Sequence, residues 1–218
     1  MKLMQLAVHV TDPRWSRLVG YVGLTDEDVR LLASVAEHMA PLAEEMADKF
    51  YTHILKSPDL KAIIDRHSTV DRLKKTLIAY YQSMWQGYYD DKTVAYRQRI
   101  GEVHDHIRLP LGAYLGAFTV IETAVMSTLM NLFADHPDRL WSMTSAFSRL
   151  KTLDMAIVSQ AYVDAREGRA RRLREQLADA SSRVTEQTQD AYQNVEACRD
   201  AVGHGVQLAD GAARAVIT

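Results

Sequence analysis

The segment Arg99-Ile100-Gly101-Glu102-Val103-His104-Asp105-His106-Ile107-Arg108-Leu109-Pro110-Leu111-Gly112 runs an apolar helical stripe into a corner. Tyr96, Ile100, Val103, His104 and Ile107 fall at helical spacing on one face, and Pro110 with Gly112 ends that helix before a second, more apolar one. A histidine is thereby placed on the buried side of a helix. Such an imidazole needs something for each ring nitrogen. A backbone carbonyl serves a core histidine; the sharper alternative is a metal or haem-iron ligand.

The helical period extends in both directions. Upstream, Thr25 reads as an N-cap with Asp26, Glu27 and Asp28 in the first turn, followed by Val29, Leu32, Val35, Ala36 and Met39. Pro41 is expected to open a helix carrying Met46, Phe50 and Ile54, and Pro58 a shorter one through Ile64. Ser68 or Thr69 caps the next, whose stripe is Leu73, Thr76, Leu77, Tyr80, Met84 and Trp85. Downstream, residues 113–133 and 138–165 read as two long helices, and no alternating strand pattern is long enough to compete. The expected fold class is all-α, with about seven or eight helices.

Composition limits the function classes. With 26 basic and 28 acidic residues the net charge is -2, so nothing suggests a nucleic-acid binder. One cysteine, Cys198, excludes an internal disulfide and a multi-thiolate zinc site. Met1–Val10 is a poor signal peptide and no membrane span is expected, so the chain reads as cytoplasmic. Sixteen of the 17 aromatic residues lie at or before Tyr162, and all five prolines at or before Pro137. The reading is therefore a packed domain over 1–165 and a helical linker over 166–218. In that linker Leu173, Leu177, Ala180, Val184, Thr188, Ala191, Val195, Cys198 and Val202 form a coiled-coil-like seam with one stutter. Ala215-Val216-Ile217-Thr218 carries no stop signal, which suggests a chain cut from a longer protein.

Four elements in order resemble the globin-coupled sensors, relatives of the protoglobins and of haem-based aerotaxis transducers. They are Tyr21-Val22-Gly23-Leu24-Thr25, Phe50-Tyr51-Thr52-His53-Ile54-Leu55, the Arg99–Pro110 segment, and Tyr114-Leu115-Gly116-Ala117-Phe118. The resemblance covers roughly residues 15–165. It implies a globin fold followed by the long C-terminal helix, and a b-type haem with His104 as proximal iron ligand. It further implies that Tyr51 donates its hydroxyl to bound dioxygen. Dioxygen polarises on binding more than carbon monoxide does, so such a donor is worth roughly 1.5–3 kcal/mol and discriminates between the two. Leu73 and Thr76 are implied to line the distal pocket, and Tyr114 to contact the proximal imidazole. Phe50 and Tyr80 complete the expected cofactor-binding set, although Tyr80, like Met84, also reads as core. His67 lies in a corner from which it could reach a haem propionate but is not among the expected cofactor-binding residues, while His53 and His106 should face elsewhere. Two departures stand out: Ala113-Tyr114 where the family often has Trp-Tyr, and Ile107-Arg108-Leu109 where it often has Ile-Gly-Leu.

The function implied is a haem-based sensor of O2, with CO and NO as further ligands, that is not itself an enzyme over these residues. The helices at about 113–133 and 138–165 are apolar on more than one side, which suggests a homodimer. Ligand state would pass through that interface and the linker to an output module: chemotaxis transducer, diguanylate cyclase or histidine kinase. The alternatives are a haem enzyme turning over NO or peroxide, marked by turnover with a reductant, and a haem-free stress-signalling module, marked by a colourless protein.

Overall fold

The computed structural model of the protein describes residues 7–215, with side chains through 209. Met1–Leu6 and the Val216–Thr218 end, on which the leader and stop-signal expectations partly rest, lie outside the described residues. A short strand β1 (Val8–His9) precedes helices α1 (Pro13–Val22), α2 (Asp26–Ala33) and α3 (Ala36–Met39). A 3-10 turn at Ala40–Leu42 leads into α4 (Ala43–Ile54), α5 (Pro58–His67) and α6 (Val70–Ser83). Strand β2 (Tyr89–Asp90), α7 (Asp91–His106), α8 (Leu111–Leu132) and α9 (Pro137–Ala215) complete the chain.

The caps explain most boundaries. Thr25 and Asp28 form a full capping box at the start of α2, and Thr69 and Asp90 accept from the first-turn amides of α6 and α7. Gly23 ends α1 in the left-handed conformation, φ 76°, which a β-carbon would penalise. Asp28 does double duty: its carboxylate also takes the Arg149 guanidinium of α9 at 2.6 and 3.0 Å, tying α2 to α9.

Three details differ from the sequence expectation. The Val29–Met39 stripe is interrupted, because Val35 takes φ -109°, ψ 7°, outside the helical region. Pro41 lies in the 3-10 turn rather than opening α4 directly. Val8 and His9 pair in parallel with Tyr89 and Asp90. Two-residue strands are too short to show an alternation, so they leave no periodic signal. They are held instead by particular bonds, Tyr89 N–H to the Ala7 carbonyl at 2.7 Å and Val8 N–H to Asp26 Oδ1 at 2.7 Å.

Leu32, Met39, Met46, Leu129, Met143, Phe147, Leu153 and Ile157 are almost wholly excluded from water and join α2, α3, α4, α8 and α9 in one core. α8 gives Phe118, Ile121, Val125 and Leu129 to it. By length and composition α8 is also apolar enough to cross a membrane; a single such helix is weak evidence, since core helices share that composition. Contacts divide the chain into two units, Met1–Arg166 and Glu167–Thr218. Within the second, Leu173, Leu177, Val184, Val195 and Val202 of the expected seam are exposed.

Candidate functional site

Helices α4 to α8 line an apolar cavity that opens to solvent. Its wall brings together all seven residues singled out from sequence: Phe50 and Tyr51 from α4, Leu73, Thr76 and Tyr80 from α6, His104 from α7 and Tyr114 from α8. Leu60, Ile63 and Ile64 of α5 close another part of it, and no Lys, Arg, Asp or Glu lines it among the described residues. His53, His67 and His106 are exposed and lie off the cavity wall, so His67 is not brought to it.

His104 takes the backbone-carbonyl arrangement at one ring nitrogen and leaves the other open. Its Nδ1 lies 2.7 Å from the Ile100 carbonyl oxygen, one turn back on α7. A carbonyl only accepts, so Nδ1 carries the proton and Nε2 keeps its lone pair. Nε2 has no partner among the described residues. Burial lowers the imidazole pKa, the Ile100 bond offsetting part of that, and keeps the ring in the neutral form a metal requires.

Tyr51 is buried, and its hydroxyl makes no hydrogen bond among the described residues. Burial pushes its pKa up to about 12, so the hydroxyl keeps its proton and remains a donor. Phe50 packs edge-on against the Tyr51 ring at 5.2 Å and restricts it. Thr76 donates its own hydroxyl to the Arg72 carbonyl at 3.2 Å, so it can serve a ligand only by giving up that bond. The Tyr114 ring lies 5.5 Å from the imidazole at 59°, a ring contact, while the nitrogen bond that fixes the imidazole goes to Ile100.

Sequence reasoning missed the polar cluster behind the Tyr80 wall. Arg97 and Asp154 are wholly buried, with Arg97 Nε 2.8 Å from Asp154 Oδ2. Tyr80 and Tyr89 donate to the same carboxylate at 3.0 and 2.8 Å, and Arg97 Nη2 donates to Ser83 Oγ at 2.9 Å. The guanidinium lies over the Tyr80 ring at 4.5 Å, leaving Nη1 buried without a partner. Tyr80 therefore offers the cavity a ring face and spends its hydroxyl on the core. Two clues existed: a lone acid in the apolar run Leu153–Val158, and an arginine two helical turns before His104 on α7.

The donor set fits a b-type haem: one neutral imidazole with an open nitrogen, one unpaired hydroxyl, and apolar walls for the macrocycle. The chain is 29% identical over 157 residues to the heme-based aerotactic transducer HemAT of Halobacterium salinarum, a match covering 67% of this chain and 32% of that protein. The chain thus spans about a third of the transducer's length. The globin domain of the Geobacter sulfurreducens globin-coupled sensor superposes with a TM-score of 0.64 at 24% identity, covering 67% of this chain and 96% of that domain, which shows an all-α, globin-like fold. The family profile described as Protoglobin matches residues 11–168, most of the chain, and on that match the chain belongs to the Protoglobin family.

Proposed function

We propose that this chain is a haem-based gas sensor, tuned to O2, that works as a homodimer and signals through α9 to an output module. The observation that carries the reading is the pairing of an open His104 Nε2 with an unpaired Tyr51 hydroxyl in one otherwise apolar cavity. Bound there, haem would supply an iron able to take up a diatomic gas. His104 would hold that iron through Nε2, with Ile100 fixing the tautomer and ring direction. The Tyr51 O–H would donate to a polarised gas and so favour O2 over CO. Leu73, with Ile54 and Leu77, keeps water out. The aerotactic transducer HemAT supports a chemotactic output, and the unburied apolar surface of α8 supports the dimer.

Reconstitution with hemin tests the reading. The loaded, dithionite-reduced protein should show a Soret band that shifts with CO, and His104→Ala should lose it. Tyr51→Phe should raise the O2 dissociation rate about ten- to a hundred-fold, with CO little changed. An unaltered O2 rate in Tyr51→Phe sinks the distal assignment.

A further inference from the structure

The cavity's histidine helix is keyed into α9 at successive turns. On α7, Arg97, Gly101 and Asp105 are four residues apart and share one stripe. Each meets α9. Arg97 forms its buried pair with Asp154, and Asp105 accepts from Arg166 Nε at 3.3 Å. Between them α7 presses so closely that a β-carbon on Gly101 would stand 2.5 Å from the Val158 carbonyl oxygen and 2.6 Å from Ala161 Cβ. Backbone sits on backbone there, with no flexible side chain to absorb a shift. The matching positions on α9, Asp154, Val158, Ala161 and Arg166, advance in the same direction as those on α7. His104 lies within this span, three residues past Gly101 and next to Asp105.

We propose that this α7–α9 seam, a buried ion pair, a glycine notch and a peripheral ion pair, is the positioning device that passes displacement of His104 directly to α9. It rests on the haem reading above. A helix keyed at a notch cannot slide without moving what it is keyed to, because packed interiors yield in discrete steps rather than by continuous compression. The ion pairs on either side of the notch resist rotation about it. The device needs no rearrangement of α8, and it delivers the motion at Asp154–Arg166, the part of α9 that leads into the Glu167–Thr218 unit.

Hydrogen exchange by mass spectrometry on the haem-loaded, dithionite-reduced full chain, with and without carbon monoxide, tests this. The parent should show a CO-dependent change in amide exchange over residues 154–166. Arg166→Ala removes the exposed partner of Asp105, together with the guanidinium over the Tyr162 ring; it should reduce that CO-dependent difference by about twofold or more, and Arg166→Lys should restore it. Gly101→Ala wedges the helices apart and should abolish the difference, provided the variant retains its Soret band. A merely structural role would change exchange equally in both gas states and leave the difference intact. A parent whose Soret band shifts with CO while exchange over 154–166 stays constant overturns the seam and leaves the haem reading standing. So does an undiminished difference in Arg166→Ala. A parent that takes up no haem overturns the reading beneath both.

Discussion

Burial disfavours the charged form of the His104 imidazole, and its bond to Ile100 restores only part of that. The folded-state pKa is thus depressed below the ordinary 6.5, so the unfolded chain binds the proton first as pH falls. The stability this neutral ring contributes is complete above that value and is lost as pH drops through the folded pKa. Urea denaturation of the haem-free protein between about pH 7 and about pH 5 should show that loss, and His104→Leu should flatten the slope. A second residue explains a departure visible in the sequence. Among the described residues Arg108 is the non-glycine residue with positive φ, 59°, at the corner beyond α7, where the family often carries glycine. The left-handed conformation costs an L-residue roughly 1–2 kcal/mol, partly offset by the entropy glycine loses on folding. Arg108→Gly should therefore stabilise the protein by up to about 1 kcal/mol, read as a raised denaturation midpoint. The sequence showed which residue was unusual; only the backbone angle showed why.

At the level of elements, the starts of α2 and α6 were legible. Thr25 and Thr69 mark them by local hydrogen bonding that depends on nearby residues alone. The strand pair was not, because its bonds join residues about eighty positions apart. The Arg97–Asp154 pair was hidden for the same reason: each half lies in a helix whose period is unremarkable, and the pairing exists only once α7 meets α9. Its energetics are asymmetric. Burial alone would lower the Arg97 pKa, but the Asp154 charge overrides it and holds the guanidinium charged. Asp154→Ala leaves that charge buried and uncompensated, at a cost of about 3–5 kcal/mol. The double variant Arg97→Met, Asp154→Leu should recover most of it in urea melts, although the Tyr80 and Tyr89 hydroxyls lose their acceptor.

The whole molecule carries more apolar surface than one copy hides. Met130 on α8 is 59% exposed and Trp141 near the start of α9 is 75% exposed. Apolar excess on two neighbouring helices is what pairing of two copies would cover, and the composition of residues 113–133 and 138–165 already indicated it. Sedimentation equilibrium should find a dimer, and Met130→Lys should weaken association by about tenfold or more. A monomer at all concentrations removes the dimer from the proposed function.

The β1–β2 bridge reaches further inward than its two residues suggest. Tyr89 is held from the Ala7 side by its amide and reaches the Asp154 carboxylate with its hydroxyl. Proteolytic trimming that removed residues through Val10 would take away one side of this clasp. The first sign would be slackness around a carboxylate in the middle of the protein, far along the chain from the cut.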